Sequence, residues 1–404
     1  MLTYRTAGVP AIAVGERDLG PAAAGEERRS RATATSDGAE RRSRQGRDGA
    51  ALETRIVTVV TVVADAVGAL ERIAYLLERD REPTYRVRAF RRAASTIRAA
   101  GQDQVADRAR AGTLEQLEGI GPTTATVVAE AVAGTEPAYL AALEKRPGPE
   151  PGEGAALLAL QRGDCHMHSD WSDGGSPIYD MAIAARDVGH EWAVLTDHSP
   201  RLTIAHGLTE ERLEMQLDQL DGLRAELAPF RLLAGIEVDI LEDGALDQSE
   251  RMLSRLDVVV ASVHSKLRMD ADAMTRRMVG ALASPFVDVL GHCTGRMVTG
   301  RGRPESSFDG PTVFAAAAML GKAVEINCRP ERLDPPRRLL SMAVRSGCLF
   351  SVDTDAHAPG QLEWQPYGCR RAAECAVEPE SVVTTWPADR LLQWATAHRR
   401  GEPG

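Results

Sequence analysis

The chain first carries histidine in the stretch Asp164-Cys165-His166-Met167-His168-Ser169, at the end of a short predicted strand. All nine histidines of the 404-residue chain lie at or after position 166. Nearly every later predicted strand also ends in an imidazole or a carboxylate. These ends read Thr196-Asp197-His198, Gly235-Ile236-Glu237-Val238-Asp239, Ser262-Val263-His264, Gly291-His292 and Asp353-Thr354-Asp355-Ala356-His357. The placement of histidine is therefore the strongest signal in the sequence.

Short apolar runs precede these strand ends at a spacing of roughly thirty residues. They are Trp192–Leu195, Leu232–Ile236, Val258–Val263, Val287–Leu290, Ala323–Ile326 and Cys348–Val352, after a first strand that ends at Gly163–Cys165. Helical segments such as Ser176–Val188, Glu210–Glu226 and Thr312–Leu320 lie between them. The alternation predicts seven parallel strands in an α/β sheet or barrel. In a barrel all C-terminal strand ends meet at one mouth, so the scattered ligand-type residues converge there.

Imidazole and carboxylate groups together form the ligand set of Zn²⁺, Mn²⁺ or Fe²⁺. A single strand-end histidine is more often structural, but independent structural histidines would not all fall at strand ends. The joint occurrence therefore predicts a metal site at the barrel mouth, built from the imidazoles and carboxylates at these strand ends. Three histidines do not fit the pattern and are expected to be structural: His190, His206 and His398.

These motifs resemble those of the PHP (polymerase and histidinol phosphatase) superfamily over residues 164–370. The resemblance implies a distorted (β/α)7 TIM-like barrel with three divalent metal ions, Zn, Mn or Fe. It places the first ion on His166, His168, Glu237 and Asp355. It places the second on Glu237, His264 and His292, and the third on Asp173, His198 and His357.

Metal ions of this kind activate water and hold phosphoryl oxygens, which implies hydrolysis of phosphate esters. The substrate's remaining negative charge requires cations, and several basic residues follow strand ends four to six. Among them we predict Arg296 and Arg332 as catalytic residues that contact the phosphate, the alternative being solvated or ion-paired arginines. A carboxylate outside the metal shell, Asp197 or Asp239, is expected to orient a ligand histidine.

The sequence before the barrel is helical from about Ala66, with further helices predicted over Tyr85–Ala100 and from Thr113, where Gln116 stands at capping-box spacing. Arginines on the second helix, together with Leu117-Glu118-Gly119-Ile120-Gly121-Pro122, resemble the DNA-end-binding domain of bacterial family X DNA polymerases. The glycines let the backbone approach a DNA phosphate at the next helix N-terminus. We predict DNA contacts for Arg88, Arg91, Arg92, Gly119, Gly121 and Thr123; the alternative is a solvated basic face.

Two departures from those polymerases limit what the resemblance implies. The predicted linker 147–160 stands where they carry a large catalytic palm, so template-directed synthesis is not expected. Some relatives carry a lyase lysine on the hairpin helix, whereas Thr123–Ala133 contains no lysine and Val127 stands at that position. Schiff-base lyase chemistry is therefore not expected either.

The predicted organisation has five parts. They are a disordered tail (1–60), an all-α helix–hairpin–helix domain (61–146), a linker (147–160), the barrel (161–385), and a C-terminal helix and tail (386–404). The net charge of −10 excludes a global basic field, so any DNA binding must be local. The six cysteines are expected to be packing residues, and the chain shows neither a secretion signal nor an apolar run of bilayer length. We expect a cytoplasmic protein without a membrane partner.

Three functions remain in view. The first is a phosphoesterase that acts on gapped or recessed DNA ends, as a 3′–5′ exonuclease or a 3′-phosphatase. The second uses the same metal chemistry on a small phosphate ester such as histidinol phosphate. The third is a non-catalytic DNA-binding protein with a relic barrel, which the complete ligand set disfavours.

Overall fold

The computed structural model describes residues 65–401, and the tail predicted over 1–60 lies outside the described residues. Five helices come first. They are α1 (described over 65–79), α2 (Thr84–Ala100), α3 (Gln102–Ala111), α4 (Pro122–Val132) and α5 (Ala138–Glu144). Their apolar faces enclose a core of their own that includes Leu70, Ile73, Phe90, Ile97 and Val128.

The sequence prediction misplaced the third helix. Thr113 makes no side-chain cap, and only a short 3-10 turn, Leu114–Gln116, follows it. The third helix is instead α3, which begins after Gly101. Val105 is its one buried residue, so the apolar periodicity that would have revealed the helix is absent.

Seven parallel strands follow in chain order around a nearly closed barrel, which confirms the predicted fold class. They are β1 (Gly163–Met167), β2 (Trp192–Leu195), β3 (Arg231–Asp239), β4 (Val258–Ser262), β5 (Val289–Leu290), β6 (Ala323–Asn327) and β7 (Leu349–Asp353). Each strand hydrogen-bonds to the next along the chain. Because parallel neighbours need crossover connections, helices lie between the strands.

The barrel helices are named in chain order. They are α6 (Ala155–Leu158), α7 (Ile178–Asp187), α8 (Glu210–Leu227), α9 (Glu250–Leu253), α10 (Ala271–Leu282), α11 (Gly310–Met319), α12 (Arg337–Arg345), α13 (Gln365–Glu374) and α14 (Ala388–Arg400). Among the described residues, none of these or the earlier helices combines the length and apolar character that crossing a bilayer requires.

The ring closes at a seam between its first and last strands, β1 and β7, where side-chain carboxylates accept several of the hydrogen bonds. The backbone contributes the bridge between Met167 and Ala356. Asp353 Oδ1 accepts a hydrogen bond from the Cys165 amide at 2.8 Å. In return, Asp164 Oδ2 accepts from the Thr354 amide at 3.2 Å. Burial raises the pKa of Asp164 to about 6, although its hydrogen bond from the Thr354 hydroxyl opposes that shift.

Helix α14 covers the N-terminal end of the barrel. The indole of Trp192, on β2, donates to the Trp386 carbonyl at 2.9 Å. Trp394 in turn donates to the Gly321 carbonyl at 2.9 Å, just before β6. His398 Nδ1 lies 2.8 Å from Oδ1 of Asp288, a fully buried residue that also accepts from the Val259 amide. His398 therefore anchors this helix, in the structural role predicted for it.

Replacing Asp288 by alanine should destabilise the protein, because the buried His398 imidazole and Val259 amide would lose their acceptor. We expect the free energy of unfolding to fall by about 3 kcal/mol. Asp389→Ala is the matched control, since Asp389 is 81% exposed in its ion pair with Arg231 and should cost under about 1 kcal/mol. Urea unfolding followed by tryptophan fluorescence measures both, and equal losses would contradict the anchoring role.

Candidate metal centre

The predicted ligands lie at or just beyond the C-terminal ends of the strands. His166 is within β1 and Glu237 within β3, whereas the others follow their strands or stand in the next loop. Among the described residues, three sets of ligand atoms lie within 4.8 Å of one another. The sets are His168, Asp173, His198 and His357; His166, His168 and Asp355; and His198, Glu237 and His264. Every predicted ligand except His292 belongs to at least one set.

Glu237 is the centre of this cluster, and its side chain is 1% exposed. Its Oε2 lies 2.8 Å from His198 Nδ1 and 3.4 Å from His166 Nε2. Its Oε1 lies 2.8 Å from His292 Nε2 and 3.2 Å from His264 Nε2. One carboxylate therefore faces histidines from four strand ends. His292 joins the cluster through this contact.

A second group stands further out. Asp173 Oδ1 lies 3.4 Å from His198 Nε2 and 3.3 Å from His357 Nε2. The ring centroids of His168 and His357 are 4.1 Å apart. The geometry thus brings together each of the three ligand groups that the sequence predicted. The structure also places His168 in this outer group, and it places His198 Nδ1 2.8 Å from Glu237 Oε2.

The cluster fits divalent cations in the chemistry of its donor atoms. Several buried ligand-type atoms make no hydrogen bond of good geometry within the described residues, although some lie close to one another: His166 Nε2, His168 Nδ1 and Nε2, His198 Nδ1, His264 Nδ1 and Nε2, His292 Nδ1 and Glu237 Oε2. Leaving such groups buried and unpaired is costly unless something else binds them. Imidazole nitrogens grouped with carboxylate oxygens are a typical ligand set for Zn²⁺, Mn²⁺ and Fe²⁺. The cluster can therefore hold divalent metal ions.

Electrostatics keep two of the potential ligands in the protonation state that binds metal. Burial raises the pKa of Asp355, but the guanidinium groups of Arg329 and Arg332 outweigh it and hold the pKa well below its usual range. Burial, assisted by His357 and His198, holds the pKa of His168 well below its usual range. Asp355 is therefore ionised and His168 neutral, as metal ligation requires.

The backbone of Asp355 is in the left-handed region, with a φ of 52°. Such a conformation costs of order 1–3 kcal/mol and is typical of functional sites. Arg329 Nη1 helps to hold it, donating to the Asp355 carbonyl at 2.9 Å and lying 2.8 Å from His357 Nδ1. Arg329 thus holds the backbone of Asp355 and the ring of His357, both of which are potential ligands.

The two arginines predicted to contact phosphate occupy different environments. Arg332 Nε donates to Asp355 Oδ2 at 3.1 Å, and its buried Nη1 has no partner among the described residues. Arg296 Nε donates to the Arg332 carbonyl at 3.0 Å, and its Nη2 donates to the Leu333 carbonyl. Arg332 therefore has a free donor at the cluster, whereas Arg296 braces the loop that carries it.

Glu325 is the residue that orients a ligand histidine, and the sequence did not single it out for this role. Its Oε1 lies 2.6 Å from His166 Nδ1, and its Oε2 accepts from the His292 amide at 2.5 Å. Asp197 instead accepts hydrogen bonds from Ser169, Ser172 and Gln216, so its expected contact with a ligand ring is wrong.

Asp239, the other carboxylate expected in this role, accepts the His264 amide at 3.1 Å, and the same oxygen lies 3.6 Å from His264 Nδ1. A charged residue inside the apolar run Ala323–Ile326 was the available signal for Glu325. The other two histidines expected to be structural lie outside the cluster. His190 Nε2 lies 3.1 Å from Gln365 Oε1, and His206 ends the short 3-10 turn Thr203–Ala205.

The predicted DNA contacts of the helical domain also separate into two classes. Arg88 is exposed and has no hydrogen bond or ion pair within the described residues. Arg92 is 61% exposed and pairs with Glu118, whereas Arg91 pairs with the buried Glu78 at 2.6 Å. The turn itself has Gly119 at a φ of 82°, with Gly121 immediately before α4 and Thr123 exposed in its first turn.

The helical domain matches a known family. Residues 63–136 match the model described as "Helix-hairpin-helix domain". This match covers the three arginines and the glycine turn that the sequence prediction selected.

Two curated relatives match more than half of the chain. A segment of 226 residues is 37% identical to the DNA polymerase/3′–5′ exonuclease PolX of Bacillus subtilis (strain 168), covering 56% of this chain and 39% of that protein. A probable phosphatase of Caldanaerobacter subterraneus subsp. tengcongensis is 30% identical over 251 residues, covering 59% of this chain and 92% of that protein. The chain thus matches less than half of the polymerase and nearly all of the phosphatase.

Among solved structures, histidinol phosphate phosphatase of Lactococcus lactis, complexed with zinc, L-histidinol and phosphate, aligns with a TM-score of 0.36 at 17% identity. The alignment covers 60% of this chain and 93% of that one. The likeness is too distant to assign individual site residues.

Replacing Glu325 by glutamine should weaken metal binding, because an amide is a poorer acceptor than a carboxylate for the His166 N–H. Outer carboxylates of this kind typically contribute 10- to 100-fold in metal affinity, so we expect a loss of about that size. Competition with a chromophoric chelator measures the affinity for Zn²⁺. Glu374→Gln, which alters an ion pair with Arg337 on the barrel exterior, is the control. Equal affinities in the two variants would contradict the orienting role.

Proposed function

The chain belongs to the PHP superfamily of phosphoesterases, and from that premise we propose that it hydrolyses phosphate esters at DNA ends. The observation that best supports this proposal is that the helical domain contacts the end of the barrel where the predicted metal ligands cluster. Arg81, between α1 and α2, lies 3.8 Å from Glu331 in the loop after β6. Arg329 and Arg332 are in the same loop. A DNA end held by the helical domain would therefore arrive beside the cluster.

Nine residues would hold the metal ions: His166, His168, Asp173, His198, Glu237, His264, His292, Asp355 and His357. Bound divalent ions would supply an activated water and neutralise phosphoryl oxygens. The chain's own contribution is to place the ligands before substrate arrives. Glu325 orients His166, and Arg329 fixes Asp355 and His357. Burial of most of the ligands strengthens the charge interactions in the inner part of the site, whereas Asp173 is exposed.

Arg332 is the residue we assign to the substrate phosphate. Its Nε holds Asp355, while its Nη1 is buried and unpartnered. A phosphoryl oxygen would satisfy that donor, and charge-assisted hydrogen bonds of this type are about twice as strong as neutral ones. Arg296 acts on the same phosphate indirectly, since it holds the backbone carbonyl of Arg332 in place.

The helical domain provides the features that favour DNA over a small ester. Gly119 and Gly121 let the backbone turn into the N-terminus of α4, whose first-turn amides favour a phosphate oxygen, while the Gly121 amide itself donates to Thr124 Oγ1 at 3.0 Å. Arg88 and Arg92 offer exposed cations on α2 for neighbouring phosphates. Arg91 contributes indirectly, because its guanidinium is engaged by Glu78. We propose removal of nucleotides or phosphate from a 3′ end, and no template-directed synthesis.

A small phosphate monoester is the second candidate substrate. The observation that favours it is the match to nearly the whole of a probable phosphatase, which extends over 92% of that protein. In this alternative the barrel would act alone, and substitutions in the helical turn would leave catalysis unchanged.

Purified, Mn²⁺-loaded protein should shorten the recessed strand of a DNA duplex faster than it hydrolyses histidinol phosphate at equal concentration. His264→Ala should lower the DNA rate by about 100-fold or more, because a lost ligand weakens the charge stabilisation that metal ions supply. Gel analysis of end-labelled DNA and phosphate release measure the two activities. Hydrolysis of the monoester alone would transfer the proposal to the second candidate.

Arg88→Ala should weaken binding to a recessed duplex and lower the slope of log affinity against log salt by about one, as expected for one lost phosphate contact. Hydrolysis of the monoester should not change. Arg110→Ala is the control, since Arg110 is an exposed arginine of the same domain, on α3, that pairs with Asp107. Fluorescence anisotropy at several salt concentrations gives the slopes, and identical slopes in the two variants would exclude Arg88 from the DNA contact.

A further inference from the structure

The C-terminal part of α1 is hydrogen-bonded to the chain segment that follows the last metal-site residue. Glu78 Oε2 accepts from the Gly360 amide at 3.1 Å. The indole of Trp364 donates to the Arg79 carbonyl at 2.9 Å. Both barrel residues belong to one short 3-10 helix, Pro359–Trp364, which begins two residues after His357. The helical domain thus holds both halves of this turn.

The same turn holds His357 in place. The His357 amide donates to Gln361 Oε1 at 2.8 Å, so the backbone at the ligand is fixed by a side chain of the turn. The guanidinium carbon of Arg329 lies over the Trp364 ring, 5.7 Å from the ring centroid. Arg329 in turn reaches His357 Nδ1 at 2.8 Å. The helical domain is therefore connected to His357 in two ways, both through this turn. One connection passes through Gln361, and the other through Trp364 and Arg329.

The contact between α1 and the turn leaves no free space. A Cβ atom added to Gly360 would lie 2.0 Å from the Tyr75 carbonyl oxygen and 2.9 Å from the Arg79 nitrogen. Glu78 is 5% exposed, and its second oxygen is held by Arg91 from α2. Burying a carboxylate is costly unless it is fully paired, and here one partner comes from each side of the contact. The contact is therefore specific and rigid.

We propose that Glu78 is a positioning residue for the metal centre, which sets His357 through the turn Pro359–Trp364. The helical domain then has a second role besides binding DNA, because it completes the geometry of the outer group formed by Asp173, His198 and His357. The inference rests on the metal centre proposed above. The helical domain then sets the geometry of one potential ligand, His357. Arg91 takes part as well, because it binds the second oxygen of Glu78.

Two α1 glutamates provide a matched test. Glu78 and Glu71 each form an ion pair from α1 to α2, to Arg91 at 2.6 Å and to Arg98 at 2.5 Å, but only Glu78 also accepts a barrel amide. The full chain, stripped of metal, is titrated with Co²⁺, whose visible absorption reports the ligand geometry. We expect Glu78→Ala to weaken the loosest-bound Co²⁺ by about tenfold and to change its absorption, whereas Glu71→Ala binds as the wild type does.

Further variants separate positioning from loss of stability. Trp364→Phe keeps an aromatic ring but removes the N–H donor. It should lower the affinity for the same Co²⁺ ion by a smaller factor than Glu78→Ala does. Glu78→Gln retains an acceptor for the Gly360 amide and should restore most of the affinity. Urea unfolding of each variant shows whether the fold persists at the titration temperature. If Glu78→Ala does not fold, Trp364→Phe decides the question: a weaker loosest-bound Co²⁺ supports the positioning role and unchanged binding refutes it.

The outcomes distinguish this inference from the proposed function. If the wild type binds no Co²⁺ with ligand-field absorption, the metal centre itself is refuted. If the wild type binds Co²⁺ and folded Glu78→Ala and Trp364→Phe bind it equally well, with the same spectrum, only the positioning role is refuted. Equal weakening of all Co²⁺ ions by Glu78→Ala and Glu71→Ala would also overturn it, because the effect would then come from general destabilisation.

Discussion

A single buried carboxylate, Glu237, organises the mouth of the barrel. Its two oxygens face histidines that come from the ends of β1, β2, β4 and β5, at distances of 2.8–3.4 Å. Such an arrangement is possible because consecutive parallel strands converge on one end of the ring. So many imidazoles around one carboxylate would be a poor way to stabilise a protein core. Their assembly makes chemical sense as a place where cations bind.

Much of this was predictable from the sequence, for a physical reason. Strand ends in a parallel barrel share one mouth, so ligand types at those ends converge whatever the intervening loops do. His166, Glu237 and His264 could be selected on that argument alone. The partners of long side chains were not predictable in the same way. Arg91 is bound to Glu78 and Arg296 to two carbonyls, and these contacts depend on tertiary packing that periodicity does not encode.

The helical elements show the same division. Helix α2 was placed within one residue because its apolar positions recur at helical spacing, whereas α3 was missed because it buries little besides Val105. Glu325 was overlooked because its run is otherwise apolar and was taken for an ordinary strand. Its side chain faces the ligands from inside the ring, which makes a polar residue in a buried strand a useful indicator in related sequences.

The seam between β1 and β7 has a consequence for how such a barrel changes over evolutionary time. Elsewhere in the ring, strand neighbours are joined mainly by backbone groups, which survive almost any substitution except proline, although Asp257 and Asp288 each accept one strand amide. At this seam two aspartates, Asp164 and Asp353, accept amides of the opposite strand. Much of the closure of the ring therefore depends on the side chains of two residues as well as on the backbone. A point mutation at either aspartate would remove hydrogen bonds that hold the first and last strands together.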